Sequence, residues 1–207
     1  KKLFRKASDS RKRSDWEQAK VEYEKYTKYV YNKDIDAWSE FGEIYSHLGE
    51  FDKSEFDEAI KCFKKAIDID NDFLQAYNNI GTISLELGNI KDAIFNYEKV
   101  LQISPNNFIS YKNLLATYEN SNQIGNYEKT LKLTQKKFPN EKILELYKGI
   151  LFFRKKKFKE SIKYLDKISF IKENETEIKR IFFLARAYDR IDKTNEAFKF
   201  FQLGNKL

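Results

Sequence analysis

The sequence predicts an all-α fold built from repeated pairs of helices. Proline and glycine are scarce, with two and seven copies in 207 residues, whereas residues that favour helices are plentiful. The two prolines, Pro105 and Pro139, lie 34 residues apart. A period of 34 residues is typical of a helix–turn–helix repeat, so the spacing predicts an array of such pairs.

The residues around the two prolines repeat at the same spacing. Tyr77 is matched by Tyr111, and Asn79 by Asn113. Residues 77–105 read YNNIGTISLELGNIKDAIFNYEKVLQISP, in which aromatic, aliphatic and small residues recur on one helical face. These residues are Tyr77, Ile80, Gly81, Ser84 and Leu87.

Four residues predict how this helix pair is built. Gly81 has no side chain, so a neighbouring helix can approach it closely. Gly88 should end the first helix, because glycine readily takes the left-handed conformation. Ala93 should lie at the contact between the two helices, and Pro105 should end the second helix.

The segment resembles the tetratricopeptide repeat (TPR), whose pattern is an aromatic residue, Leu-Gly, Tyr, Ala, a second aromatic residue and Pro. Ser84 stands where the family has Tyr. The resemblance implies a single domain, residues 1–207, folded as a right-handed α-solenoid of about six helix–turn–helix TPR repeats. We expect the repeats at residues 1–33, 34–73, 74–107, 108–141, 142–175 and 176–207.

The second repeat carries five extra residues between its two helices. Glu-Phe-Asp occurs twice in EFDKSEFD, residues 50–57, and Gly49 and Ala59 are ten residues apart where the third repeat has five. We expect a tolerated insertion in an exposed turn, because loops absorb insertions at small entropic cost. Only one of Phe51 and Phe56 should fill the aromatic position. The alternative is a binding loop.

The composition argues against catalytic and metal sites. The chain has one His, His47, and one Cys, Cys62. These are too few for a zinc site, and a lone Cys forms no internal disulfide. The sequence has no glycine-rich phosphate loop and no common hydrolase motif. We therefore expect a non-enzymatic segment with no cofactor and no metal, in a reducing compartment, the cytoplasm.

The positive charge is concentrated at the amino-terminal end. The net charge is +7, and residues 1–13 contain seven basic residues and one Asp. The nearly neutral remainder disfavours nucleic acid as a partner. No apolar run is long enough to cross a bilayer, so we expect no membrane span. Because the chain begins with Lys and lacks Met, we expect it to be a segment of a longer protein.

In the TPR family, the first helices of successive repeats line a concave groove. The resemblance therefore implies a scaffold that binds a peptide or partner protein, and short repeats also allow self-association. Carried onto this chain, the groove runs from acidic residues through amides to aromatic and basic residues. The groove residues are expected to be Glu40, Glu43, Asn78, Asn79, Lys112, Asn113, Tyr147, Phe153, Arg154, Phe183, Arg186 and Arg190.

Two better-defined TPR ligand sites match this chain less well. In family members that clamp acidic carboxyl termini, cations occupy positions that here hold Ser39, Ile109 and Asn113. The asparagine ladder of the O-linked N-acetylglucosamine transferases is similar here at two positions, Asn79 and Asn113. Each of these side chains can donate and accept, so the pair could hold a peptide backbone of any sequence.

The last repeat suggests an alternative function. Residues 180–207, RIFFLARAYDRIDKTNEAFKFFQLGNKL, resemble the final repeat before the catalytic domain of bacterial TPR-sulfotransferases. The resemblance implies an N-terminal arm that positions the acceptor substrate. The catalytic domain, with its site for 3′-phosphoadenosine-5′-phosphosulfate, would then lie beyond Leu207. The matching residues are Phe183-Leu184, Asp189-Arg190, Glu196-Ala197-Phe198 and Asn205-Lys206.

Overall fold

The computed structural model describes residues 13–29, 34–168 and 175–206. Within these ranges the chain forms eleven helices and no strand, which confirms the all-α class. Residues 1–12 of the first expected repeat lie outside the described residues. The helices are α1 (Arg13–Tyr29), α2 (Ile35–Gly49), α3 (Glu55–Ile69), α4 (Leu74–Glu86), α5 (Ile90–Ile103), α6 (Phe108–Asn120), α7 (Ile124–Lys137), α8 (Ile143–Arg154), α9 (Phe158–Leu165), α10 (Glu175–Asp189) and α11 (Thr194–Gly204).

The chain divides into two compact units, Lys1–Asn113 and Leu114–Leu207, called here the N-terminal and C-terminal units. In the N-terminal unit, α2 packs on α3 and α4 packs on α5, while α1 contacts α2 and α3 contacts α4. In the C-terminal unit, α8 packs on α9 and α10 packs on α11, while α7 contacts α8 and α9 contacts α10. Consecutive helices therefore form pairs in both units, as the sequence predicts, whereas the six repeat boundaries remain a prediction.

The repeat period is visible in the backbone of the turns inside the helix pairs. Gly88, Asn122 and Lys156 have positive φ angles of 77°, 56° and 59°, and each lies one repeat period after the one before it. The amide after each of them donates to the carbonyl five residues before it, at 2.7–2.9 Å: Asn89 to Ser84, Gln123 to Tyr118 and Lys157 to Phe152. This left-handed cap satisfies a carbonyl that the helix leaves free, so α4, α6 and α8 end in the same way.

Small residues allow the two helices of a pair to approach closely. Ala93 is completely buried in α5. A Cβ atom on Gly81 would lie 2.7 Å from the Tyr97 ring, and one on Gly149 would lie 2.5 Å from the Leu165 side chain. The predicted close approach at Gly81 is thus confirmed, and Gly149 has the same role in α8.

The five residues from Glu50 to Ser54 connect α2 to α3. Phe56 is buried at 6% exposure, whereas Phe51 is 51% exposed. The Phe56 ring lies directly on the backbone at Gly49, where a Cβ atom would be 2.3 Å from the ring. As expected, one phenylalanine of the duplicated sequence enters the core and the other stays at the surface.

None of the helices in the described ranges combines the length and apolar character that a bilayer span needs.

Cys62 lies buried on α3, and burial raises the pKa of its thiol to about 12 from an ordinary value of 9.0. We expect the native thiol to be inert towards Ellman's reagent at pH 8 and to react fully in urea, because only the thiolate is a nucleophile. The unfolded thiol ionises first as the pH rises, so its ionisation should destabilise the fold between pH 9 and about 12. Rapid reaction of the native thiol with the reagent would contradict this placement.

Candidate functional site

The predicted groove residues fall into two sets, one in each unit. The first set, called the acidic–amide face, lies on α2, α4 and the part of α6 that belongs to the N-terminal unit, and consists of Glu40, Glu43, Asn78, Asn79, Lys112 and Asn113. The second set, called the aromatic–basic face, lies on α8 and α10 of the C-terminal unit, with Arg190 directly after α10, and consists of Tyr147, Phe153, Arg154, Phe183, Arg186 and Arg190. Each face is described within its own unit.

Hydrogen bonds hold the two carboxylates of the acidic–amide face. The Tyr23 hydroxyl donates to Glu40, and the Gln75 amide donates to Glu43. Burial raises the pKa of Glu43 above its ordinary value, although the Gln75 hydrogen bond acts in the opposite direction. The Glu43 carboxylate is therefore partly stripped of water, so a cationic partner group would neutralise it favourably.

The two neighbouring asparagines of α4 have different environments. Asn78 accepts a hydrogen bond of 2.9 Å from the Ser110 hydroxyl of α6, which ties two first helices together. Asn79 lines a cavity of about 260 Å³ between α2 and α4, together with Glu43 and His47. This part of the predicted groove is therefore an open hollow with polar side chains in its lining.

His47, near the end of α2, has a defined position in this hollow. Its ring stacks on the buried Trp16 ring of α1, with centroids 4.2 Å apart. Its Nδ1 atom lies 3.2 Å from a carboxylate oxygen of Glu50. Within the described residues, no three His, Cys, Asp or Glu side chains are grouped closely enough to hold a metal ion.

The aromatic–basic face is formed by an arginine stacked on two phenylalanines. The rings of Phe153 and Phe183 meet edge to face, with centroids 5.2 Å apart. The Arg186 guanidinium lies 5.1 Å from the Phe153 centroid and 5.8 Å from that of Phe183. Stacking of this kind holds a guanidinium in place while its N–H groups stay available to an anion. Arg186 and Arg190 are exposed.

Three aromatic residues predicted for the groove are almost fully buried. Tyr147, Phe153 and Phe183 are 8%, 8% and 6% exposed. Phe153 and Phe183 are covered by Arg186 and by each other, and the Tyr147 carbonyl accepts a 2.9 Å hydrogen bond from the Tyr127 hydroxyl. These rings therefore support the face from beneath and present little surface to a ligand.

One important residue of this region, Glu119, is not predicted from the sequence. Its side chain, 5% exposed, accepts from Arg154 at 2.7 Å and from Lys179 at 2.6 Å. These three residues lie on α6, α8 and α10, which are successive first helices. The sequence separation of 35 residues between Glu119 and Arg154, close to the repeat period, is the signal that could have suggested the pair. Arg154 is thus already paired, which leaves Arg186 and Arg190 as the exposed cations of this face.

The helix pairs, with a left-handed turn that recurs once per repeat, define the class of protein: a helical-repeat protein with the TPR fold. The model of the CABIN1 N-terminal domain matches residues 17–137, which is more than half of the chain. The chain therefore belongs to the CABIN1 N-terminal domain family.

Comparison with solved structures supports the TPR fold. A tetratricopeptide repeat protein from Parabacteroides merdae superposes with a TM-score of 0.72 at 14% identity, covering 99% of this chain and 77% of that one. A chain of the APC/C hetero-tetramer Cut9–Hcn1 superposes with a TM-score of 0.72 at 16% identity, covering 97% of this chain and 38% of that one.

One curated relative is similar in sequence. The CTR9 homolog of Arabidopsis thaliana is 34% identical over 88 residues, which cover 41% of this chain and 8% of that protein. The match thus spans a small part of its relative. Neither the family model nor these relatives is described as a sulfotransferase, so the resemblance seen in residues 180–207 gains no support.

Proposed function

We propose that the chain is a protein-interaction scaffold whose first helices receive an extended peptide segment of a partner protein. The observation that carries this proposal is the open cavity between α2 and α4, lined by Glu43, Asn79 and His47. The Asn79 amide makes no hydrogen bond to another described side chain or backbone group, so it is available to a ligand. An amide can both donate to and accept from a peptide backbone.

The kind of partner is inferred from a structure of the same fold. The Cut9–Hcn1 crystal structure contains a protein with this fold in a hetero-tetramer with another protein. That precedent favours a protein as the partner of this chain. The cytoplasmic location, the expectation that nucleic acid is not a partner and the capacity for self-association stay predictions.

The two faces should prefer opposite charges. The acidic–amide face carries Glu40 and Glu43, so it should favour basic peptide residues. The aromatic–basic face exposes Arg186 and Arg190, so it should favour acidic or aromatic residues. On each face, complementary charge favours the right partner and excludes wrong ones.

The proposal can be tested by selecting peptides from a phage-displayed library of random 12-residue sequences. We expect the Asn79→Ala/Asn113→Ala variant to bind the peptides that occupy the acidic–amide face about thirtyfold more weakly, since each lost hydrogen bond contributes about 1 kcal/mol. Glu43→Lys should weaken only basic peptides, and Arg186→Glu only acidic ones. Because the pKa of Glu43 is raised, basic peptides should be released on acidification at a higher pH than an ordinary glutamate would predict.

The matched control is Asn195→Ala, which removes an exposed asparagine from α11, outside both faces. It should leave all affinities unchanged. The proposal is wrong if the double asparagine variant binds each selected peptide as tightly as the wild type. The charge assignment alone is wrong if Glu43→Lys and Arg186→Glu weaken basic and acidic peptides equally.

A further inference from the structure

The connection from Glu50 to Ser54 forms one wall of a second cavity, of about 420 Å³, in the N-terminal unit. Its floor is apolar and consists of Gly49, Phe56 and Ile83. Phe56 and Ile83 are buried at 6% and 3% exposure, so the floor is part of the packed core. The connection thus borders a hollow with a buried apolar base.

The rim of this cavity is mainly acidic. Glu50 comes from the connection and Glu86 from the end of α4, and both are exposed. Lys53 is the one basic residue of the lining. The Glu50 carboxylate lies 3.2 Å from Nδ1 of His47, which is outside this lining. The rim therefore carries a net negative charge above an apolar floor.

The second cavity borders the first. Both are lined by Ser46, Thr82 and Ile83, and the first adds Glu43. The two hydroxyls are already engaged with their own helices, since Ser46 donates to the Gly42 carbonyl at 2.8 Å and Thr82 to the Asn78 carbonyl at 3.1 Å. The hydroxyls at the shared boundary therefore need no hydrogen bond from a ligand. A ligand side chain can lie across this boundary from one cavity to the other.

We propose that this cavity is a side-chain pocket for a lysine or arginine of the bound peptide, and that the Glu50–Ser54 connection is its specificity wall. The aliphatic stem of such a residue would cover Phe56 and Ile83, and its charged end would reach Glu50 and Glu86. Long basic side chains bury their methylene groups on apolar surfaces while the charged end meets carboxylates. This inference rests on the proposed function, because it names the partner residue that one part of the groove selects.

The duplicated sequence permits a direct test. Deletion of residues 51–55 leaves GEFDEAI, in which Glu50 takes the place of Glu55 before Phe56 and the buried ring is kept. The lost Phe51 is exposed, and a shorter connection changes closure entropy little, so the deletion variant should remain folded. Inert Cys62 and unchanged tryptophan fluorescence would verify this.

The probe is the pool of 12-residue peptides selected on the wild type. We expect Lys or Arg to be enriched at one position, and a peptide with norleucine there to bind about tenfold more weakly. The Glu50→Gln/Glu86→Gln variant and the deletion variant should lose this discrimination. Lys53→Glu should increase it, whereas Lys64→Glu, the same charge change at an exposed site of α3 outside the cavity, should not.

The outcomes separate this inference from the proposed function. Suppose that peptides are selected and that their binding depends on Asn79 and Asn113. If all pocket variants still prefer the basic residue over norleucine as strongly as the wild type, the pocket assignment is wrong and the scaffold proposal stands. If acidic or apolar residues are enriched at that peptide position, the assignment of a basic side chain to the pocket is wrong. If the wild type selects no peptide, both proposals are overturned.

Discussion

We expect Ala93→Arg to lower the free energy of unfolding of the N-terminal unit by more than about 3 kcal/mol, from overpacking and from burial of a charge. Ala93 has no exposed surface. The adjacent first helix is already so close that a single Cβ atom at Gly81 would overlap the Tyr97 ring. A guanidinium on a long side chain therefore has no space at this contact, and the helix pair must separate to admit it.

The chain offers a clean measurement of this effect. Its two tryptophans, Trp16 and Trp38, are both buried in the N-terminal unit, so their fluorescence in a urea titration reports on that unit. Gln102→Arg introduces the same side chain at an exposed position of α5 and should leave the midpoint unchanged. If Ala93→Arg also leaves the urea midpoint unchanged, the assignment of this position to the helix contact is wrong.

We expect Glu119→Gln to destabilise the C-terminal unit by about 2 kcal/mol, because it removes two charge-assisted hydrogen bonds to a buried carboxylate, while the cations left behind keep about one-third of their side chains exposed. The carboxylate receives both Arg154 and Lys179, and the Arg154 Nε atom is already buried without a hydrogen-bond partner. Without the negative charge, Arg154 of α8 and Lys179 of α10 would repel each other. The loss should persist at high salt, because buried charges are screened little.

A matched carboxylate shows whether burial is the cause. Glu128 is also 2.6 Å from a lysine, Lys155, but both side chains of that pair are about one-third exposed. Glu128→Gln should leave stability essentially unchanged, since exposed ion pairs contribute little. The C-terminal unit contains no tryptophan, so its stability is measured by amide hydrogen exchange of α8 and α10. Equal protection losses in the two variants would refute the role given to Glu119.

Several features of the candidate site could be predicted from the repeat pattern. The pattern correctly assigned Glu40, Glu43, Asn78 and Asn79 to first helices, because the 34-residue repeat period determines which helix of a repeat a residue belongs to. It did not reveal that Tyr147, Phe153 and Phe183 are buried. Burial depends on what covers a side chain, and for the two phenylalanines the covering group is Arg186, whose position depends on the packing of two helices.

The order of residues along the chain is sufficient to predict the all-α class, the pairing of consecutive helices and a turn that recurs once per repeat. These features depend on local forces: helix propensity, the conformational freedom of a residue such as Gly88, and small residues such as Ala93 at the helix contact. Only tertiary packing selects Phe56 over Phe51 for the core, and only packing brings Glu119 to the cations of two other helices. The physical reason is that such contacts depend on side-chain directions and on the space between elements distant in sequence, which no local pattern encodes.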